Sequence, residues 1–320
     1  MKKTIALLLL TAILSLCFVG CNNVPSNSNE TTQTTPNEEV IEPKPNPASD
    51  FEYEENDAGG ITITRYIGQD LDIIIPEKIQ NKLVTEIGNL AFITDYTLGY
   101  PLSNKVRSVK MPNTVTKIGL SAFMNCDTLE SIILSENLTT IDAFAFQNCV
   151  NLKHITIPAK VTMIGDQAFD ASGLETLTLE EGITALHGYR CFAGTQVKQI
   201  TLPSTIEEIG ILVFATSPNL ESIILNEGLV KIGHGAFANN PKLKEIVIPK
   251  TVEIITEMDF DKCGGLEKIK FEGNAPSTFE YSDSIVGVWE PYSVHFTVYY
   301  HEGAEGFTSP EWYGYPAEIW

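Results

Sequence analysis

The hydrophobic positions of the chain recur at a nearly fixed spacing, marked by a short motif that ends in phenylalanine. Residues 118–123, 164–169 and 232–237 are near copies of this motif, with the pattern Ile-Gly-x-x-Ala-Phe. The anchoring phenylalanines are Phe92, Phe123, Phe146, Phe169, Phe192, Phe214, Phe237 and Phe260. Subtracting neighbouring residue numbers gives gaps of 31, 23, 23, 23, 22, 23 and 23. Such a period predicts a solenoid, in which each repeat stacks on the one before it.

The first half of each repeat follows the pattern Leu-x-x-Ile-x-Leu/Ile, often closed by proline. In residues 152–158 the alternation of Ile155 and Ile157 predicts a short strand, because side chains at period two share one face. Pro158 ends that strand, since proline cannot donate to a ladder. Gly165 then permits a turn, and we expect residues 168–169 to begin a short helical turn whose phenylalanine fills the interior.

The complete pattern, Leu-x-x-Ile-x-Ile-Pro-x-x-Val-x-x-Ile-Gly-x-x-Ala-Phe-x-x-Cys, resembles the BspA-like branch of bacterial leucine-rich-repeat surface proteins. Residues 129–149 and 152–169 carry it most fully, and the likeness covers roughly residues 60–320. The resemblance implies a surface or secreted protein, and some members of that family act as adhesins toward host matrix proteins or other bacteria.

We therefore expect a right-handed leucine-rich-repeat solenoid, since nearly all parallel crossovers have that hand. It should be mainly β with minor α, with a parallel sheet on its concave face and β caps at both ends. The predicted segments are a leader (1–20), a tether (21–50), an N-terminal cap with a first atypical repeat (51–105), repeats of about 23 residues (106–273) and an aromatic C-terminal cap (274–320).

The N-terminal segment has the features of a secretory leader. Lys2 and Lys3 precede an apolar run at residues 5–18, which is short for a membrane span. The run ends in Phe-Val-Gly-Cys at residues 18–21, which looks like a bacterial lipobox. The likeness implies cleavage before Cys21 and addition of diacylglycerol to its sulfur; the alternative is ordinary secretion with a chance cysteine. Residues 21–50, rich in Asn, Ser, Thr, Pro and Glu, are predicted to be a disordered tether.

Both ends of the repeat array depart from the period. Residues 60–66 and 71–76 are predicted to be strands of the N-terminal cap. An insertion within residues 93–105 contains Tyr96, Tyr100 and Pro101, and it is either a contact loop or part of the cap packing. Residues 294–300 are predicted to be a strand of the tail. The tail is read as a terminal cap, with a glycan platform of exposed aromatic side chains as the alternative; its tryptophans are Trp289, Trp312 and Trp320.

The overall charge restricts the classes of partner. The hydrophobic fraction of 43% is ordinary, but the formal net charge is −20 at pH 7. An acidic surface repels phosphate backbones, so we expect no nucleic-acid partner. The charge either keeps an elongated protein soluble or attracts a specific cationic ligand.

Candidate catalytic and metal-binding groups are sparse. Besides Cys21, four cysteines follow the leader: Cys126, Cys149, Cys191 and Cys263. Cys126 and Cys149 occupy equivalent places in adjacent coils, where either a disulfide or two buried thiols fit. No C-x-x-C occurs, no histidine has a second ligand at metal spacing, and no nucleophile has an evident base. Glu302 and Glu305 are either an acid/base pair or solvated residues. The sequence therefore predicts no cofactor, no metal and no enzyme.

The open face of the predicted sheet is the strongest candidate site. Its outward positions carry almost no charge, although the chain is strongly acidic, and extended concave surfaces are what solenoids bind with. The alternative is that β-branched residues are there only for their strand propensity. The predicted binding residues are Ser131, Ile133, His154, Thr156, Thr176, Thr178, Gln199, Thr201, Ser222, Ile224 and Val247.

The function predicted from these features is that of an adhesin-like module. It would be lipid-anchored at the bacterial cell surface and attached to the membrane only through the lipid. It would bind an extracellular protein or glycan. The rival hypothesis is a structural envelope protein that associates with copies of itself and has no soluble ligand.

Overall fold

The computed structural model describes residues 43–95, 102–103, 105–255, 257–279 and 295–320, and it is a parallel β-solenoid of about ten turns. The predicted solenoid is therefore confirmed. Cys21, the tether before residue 43, the middle of the insertion and Trp289 lie outside the described residues. Where the structure is described, no helix is long and apolar enough to cross a membrane.

The N-terminal region combines a cap with the first turn of the solenoid. Its strands are β1 (Phe51–Glu55), β2 (Ile61–Tyr66), β3 (Asp72–Ile74), β4 (Lys78–Ile79), β5 (Lys82–Ile87), β6 (Ile93–Asp95) and β7 (Leu102–Ser103). Strands β1 and β2 pair antiparallel, whereas β2 pairs parallel with β5. Residues 71–76, predicted to belong to the cap, contain β3. This strand pairs parallel with the next turn, so it is already the first rung of the solenoid.

Two strands alternate in every repeat that follows. They are β8 (Ser108–Lys110), β9 (Lys117–Ile118), β10 (Ser131–Ile133), β11 (Thr140–Ile141), β12 (His154–Ile157), β13 (Met163–Ile164), β14 (Thr176–Leu179), β15 (Ala185–Leu186), β16 (Gln199–Thr201), β17 (Glu208–Ile209), β18 (Ser222–Ile224), β19 (Lys231–Ile232), β20 (Glu245–Ile248), β21 (Ile254–Ile255) and β22 (Lys268–Phe271). Among these strands, the even-numbered ones, joined by β3, form what we call the first sheet. The odd-numbered ones, joined by β2 and β5, form the second sheet.

The tail extends both sheets. Its strands are β23 (Thr278–Phe279), β24 (Thr297–Tyr300), β25 (Glu311–Trp312) and β26 (Tyr315–Ile319). Strand β23 pairs parallel with β21, β24 with β22, and β26 with β24. Strand β25 folds back antiparallel on β26. The tail therefore closes the array by adding rungs to it.

The second sheet was not predicted. It runs through β2, β5, β9, β11 and β13, stops, and resumes through β15, β17, β19, β21 and β23. The break lies next to residues 186–192, where the motif is one residue longer than elsewhere.

A continuous stack of aromatic rings fills the interior. Phe123 and Phe146 lie 5.1 Å apart between ring centroids at 3° between planes, and the pairs from Phe92 to Phe260 are all stacked in this way. The stack begins with Tyr66, whose ring lies 5.7 Å from that of Phe92. Tyr66 of the cap therefore takes the place of the first phenylalanine.

The helical turns expected after each Ala-Phe pair are wrong. The described residues contain two short 3-10 helices, Ala48–Asp50 and Glu257–Phe260, and no α-helix. The Phe169 N–H donates to the Cys191 carbonyl of the next turn at 2.8 Å, and the Phe123 N–H donates to Ala145 at 2.8 Å. The next turn of the solenoid supplies these acceptors, so the backbone does not form the hydrogen bonds of an α-helix. The segment is a series of hydrogen-bonded turns.

Candidate binding surface

The predicted binding residues lie on the outward side of the first sheet, which we call the strand face. In β12 the burial alternates strictly, with His154 and Thr156 exposed and Ile155 and Ile157 buried. Parallel register places His154 beside Thr176. The register thus aligns the residues in two rows. Row one contains Ser131, His154, Thr176, Gln199 and Ser222; row two contains Ile133, Thr156, Thr178, Thr201, Ile224 and Val247.

Exposed apolar side chains lie in row two. Ile133 is 59% exposed and Ile224 is 50% exposed. Neither side chain contributes to the core, because the inward neighbours Ile132 and Ile223 fill it. Threonines occupy the three positions between these isoleucines, so the middle of the strand face is uncharged and accessible.

Charge reappears just beside the strand face, in what we call the alternating row. Its side chains precede the first-sheet strands and alternate in sign from one repeat to the next. Lys153 Nζ lies 3.5 Å from Glu175 Oε1, and Lys244 Nζ lies 3.6 Å from Glu267 Oε1. The full row is Arg107, Glu130, Lys153, Glu175, Lys198, Glu221, Lys244 and Glu267.

The first sheet is interrupted at three seams within residues 105–255. Ladder pairing joins β8 with β10, β12 with β14, and β16 with β18, but not β10 with β12, β14 with β16, or β18 with β20. The core residues on the strand before each seam keep some exposure: 9% for Ile132, 8% for Leu177 and 6% for Ile223. The strands of the first sheet are therefore hydrogen-bonded in pairs, while the second sheet and the turns join repeats across the seams. Each of these three pairs begins with a cation of the alternating row and ends with a glutamate.

A groove lies at the first seam, between β10 and β12. It has a volume of about 420 Å³. Six of the predicted binding residues line it: Ser131, Ile133, His154, Thr156, Thr176 and Thr178. The buried side chains Ile132, Leu134 and Ile155 also border it, and Glu130, Glu136 and Glu180 contribute carboxylates. A second groove, of about 520 Å³, lies at the next seam and includes Thr178 and Thr201.

The four cysteines of the described residues are buried free thiols: Cys126, Cys149, Cys191 and Cys263. The Cys149 thiol donates to the carbonyl of Phe123 at 3.1 Å, and Cys263 donates to Phe237 at 3.1 Å. Asn240 fills the equivalent position and makes the same kind of bond to the preceding turn. Burial raises the pKa of Cys263 to about 11, so its thiol is neutral at physiological pH. These side chains satisfy backbone carbonyls inside the coil.

The candidate chemical groups of the tail are held by structural contacts or lie in solvent. Glu302 and Glu305 are both exposed. His301 Nε2 lies 3.2 Å from Glu272 Oε2, and the His301 ring stacks on Trp320 at 4.8 Å between centroids. Over the described part of the chain, no group of three His, Cys, Asp or Glu side chains is placed to hold a metal ion.

The tail tryptophans that the structure describes have packing partners. Trp312 is 3% exposed and packs edge-on against Phe271 at 5.6 Å between centroids. Lys270 Nζ lies 4.9 Å from the centre of the Trp320 ring. Trp312 is thus part of the packed tail, whereas Trp320 is 44% exposed, so both interpretations of the tail stay open.

Sequence reasoning missed the seams and the grooves. A signal was present, because the residue after the first leucine or valine of each repeat alternates between a cation and glutamate. Such a two-repeat period indicates pairing of repeats, which a search for a single 23-residue period does not detect.

Comparison with known proteins identifies the family. The model of the BspA type leucine-rich repeat region matches six copies, over residues 85–190 and 187–285. No match was found among curated proteins.

Three solved structures illustrate the likeness. A leucine-rich repeat protein from Bacteroides ovatus is 26% identical, with a TM-score of 0.52, over 82% of this chain and 71% of that chain. A leucine-rich cell surface protein from Faecalibacterium prausnitzii is 23% identical, with a TM-score of 0.42, over 72% and 89%. A leucine-rich repeat protein from T. pallidum is 24% identical, with a TM-score of 0.42, over 71% and 86%.

The family match covers more than half of the chain and includes every complete repeat of the first sheet. Solenoids of this family are typically non-enzymatic scaffolds for interaction with other proteins, and they belong to the bacterial cell surface. The chain therefore belongs to the BspA-type leucine-rich-repeat family of bacterial cell-surface proteins.

Proposed function

We propose that the protein is an adhesin-like module that binds an extracellular protein or glycan through its strand face. A lipid on Cys21 holds it at the cell surface, and residues 22–50 act as the tether. The lipobox-like sequence at residues 18–21 supports the anchoring. A Cys21→Ser variant then leaves the membrane fraction for the medium, and its retention with the membranes would count against the anchor.

The observation that carries the proposal is the lack of charge on the strand face. The chain has a net charge of −20, and the alternating row next to the face is fully charged. Between β10 and β18, however, both rows of the face contain only Ser, Thr, Gln, His and Ile. Interface cores are depleted in charged residues relative to the rest of a protein surface.

Strand propensity alone does not account for this face. It favours β-branched residues such as threonine, and it explains the central threonines equally well. Yet Ile133 and Ile224 expose half or more of their surface to water, where a threonine would serve the strand as well at no hydrophobic cost. A partner that covers these isoleucines removes that cost.

A binding screen tests the proposal. The chain from residue 22 onward, which contains every described residue, is presented to immobilised matrix proteins, mucins, glycans and bacterial surface extracts at low and high salt. We expect capture that persists at high salt, because an uncharged face binds by apolar contact and hydrogen bonds. If no member of the panel is bound and sedimentation shows discrete oligomers, the structural, self-associating role is favoured.

A further inference from the structure

The groove at the first seam combines an apolar base with acidic ends. Its buried members Ile132, Leu134 and Ile155 lie where the ladder between β10 and β12 is missing. This seam leaves Ile132 9% exposed, so a ligand side chain can contact this isoleucine at the base of the groove. The walls consist of uncharged side chains of the strand face.

Carboxylates lie at both ends of this groove. Glu130 directly precedes β10, whereas Glu136 and Glu180 follow β10 and β14. None of the three forms a salt bridge in the part of the chain that the structure describes. Glu136 accepts a hydrogen bond from the Asn113 amide at 3.3 Å, and Glu180 accepts one from the Ala159 N–H at 3.0 Å. Both of these donors are neutral, so no cation in the described part of the chain neutralises Glu136 or Glu180 through an ion pair.

Two of the neighbouring cations form ion pairs elsewhere, whereas Lys110 lies beside Ile133 in parallel register. Arg107, whose charge reaches Glu130, forms an ion pair with Asp72. Lys153, the next cation of the alternating row, pairs with Glu175. The groove lining itself contains no lysine or arginine. The site therefore offers an apolar centre with negative charge at both ends of the strands.

We propose that this groove binds an extended segment of a partner protein with aliphatic side chains in its middle and a lysine or arginine at each end. This inference rests on the proposed function and specifies the partner of the strand face. Alternate side chains of an extended segment point the same way, so two aliphatic residues at positions i and i+2 both face the base of the groove. The terminal cations then reach Glu130 at one end and Glu136 and Glu180 at the other.

Titration calorimetry with short peptides tests the assignment on the chain from residue 22 onward. The probe is a six-residue peptide with a lysine at each end and Val-Thr-Val-Thr between them. The matched peptide has glutamate in place of both lysines. We expect the lysine-ended peptide to bind at least tenfold more tightly than the glutamate-ended one. Equal affinities would overturn the charge-based assignment.

Matched charge variants separate a defined site from the diffuse acidity of the chain. The groove variant combines Glu130→Gln, Glu136→Gln and Glu180→Gln. The control variant, Glu54→Gln with Glu227→Gln and Glu302→Gln, removes the same charge at exposed positions outside the groove. We expect the dissociation constant to rise at least tenfold in the groove variant and less than twofold in the control. Equal losses in both variants would overturn the site.

The apolar part of the groove needs its own readout. An Ile133→Ser variant changes an exposed side chain and leaves the core intact. We expect it to weaken the lysine-ended peptide severalfold. It should not affect a peptide in which Ser-Gly-Ser-Gly replaces the valine-containing middle. If Ile133→Ser weakens the binding of both peptides to the same extent, an apolar contact at this position is contradicted.

The outcome of this inference is distinguishable from that of the proposed function. If the lysine-ended peptide does not bind while a panel protein is still captured, the groove assignment is wrong and the strand-face proposal is retained. If the peptide does not bind and no panel member is captured, both the groove assignment and the strand-face proposal are wrong.

Discussion

At the scale of single residues, one recurring position satisfies a buried carbonyl in several repeats. It lies three residues after the anchoring phenylalanine, and Cys149, Asn240 and Cys263 fill it with donors to the preceding turn. The sequence showed that the slot takes small residues, but it left open whether its cysteines form a disulfide. The hydrogen bonds explain the shared chemistry, because cysteine, serine, threonine and asparagine all donate.

Ser172 occupies this slot without making such a bond. Its hydroxyl is buried and has no hydrogen-bond partner among the described residues, whereas Cys149 donates to the phenylalanine carbonyl of the preceding turn. A thiol has a longer bond to carbon, so we expect Ser172→Cys to reach that carbonyl as Cys149 does. Removing an unsatisfied buried hydroxyl should raise the free energy of unfolding by about 1 kcal/mol. Chemical denaturation measures this change.

The matched control is Ser217→Cys in the same slot. Ser217 already shares a hydrogen bond with Thr195 at 3.3 Å, so this change should give no gain in stability. If Ser172→Cys stabilises the protein no more than Ser217→Cys does, the hydrogen-bond account is contradicted.

At the scale of elements, the glycine of the Ile-Gly motif is needed for close approach between turns. The sequence interpretation assigned Gly165 to a turn, but its φ is not in the left-handed region. A Cβ built on Gly165 would lie 2.4 Å from the backbone nitrogen of Ala143 in the preceding turn. Glycine therefore allows adjacent turns to stack at strand spacing.

A Gly165→Ala substitution tests this role. We expect the two turns to be pushed apart and the free energy of unfolding to fall by about 1–3 kcal/mol, as for other overpacked sites. Gly264→Ala is the control, since its Cβ would meet no atom within 4 Å. Thermal unfolding of both variants gives the comparison. Equal melting temperatures for the two would rule out a packing role for Gly165.

The elements differ in how far the sequence predicted them. The first strand of each repeat was predicted because alternation over residues such as 154–157 is visible at period two. The second sheet was missed because two-residue strands such as Met163–Ile164 are too short to alternate. The helical turns were wrong because acceptors in the next turn, about 23 residues away, replace those a helix would use. Neither the second sheet nor these acceptors can be inferred from one repeat alone.

At the scale of the whole molecule, stacking of repeats creates the strand face. Each repeat contributes only two outward residues to the strand face, such as Thr156 and His154 in β12. The parallel pairing of the strands sets the register in which these residues align, and the aromatic stack from Tyr66 to Phe260 fills the interior behind them. The period therefore predicted the solenoid and the composition of its face. The seams and grooves depend on how neighbouring repeats pair, which residue patterns within one repeat do not determine.

The central claim is that this molecule binds through the strand face, and capture by charged variants tests it most directly. Thr178→Glu with Thr201→Glu places two carboxylates on the face, where both side chains are exposed. Thr139→Glu with Thr162→Glu places two on exposed positions in adjacent repeats, next to the second sheet. We predict that the first pair abolishes capture of a panel ligand, that the second preserves it, and that both melt like the parent. Full capture by the first pair, or equal loss in both, would contradict the account.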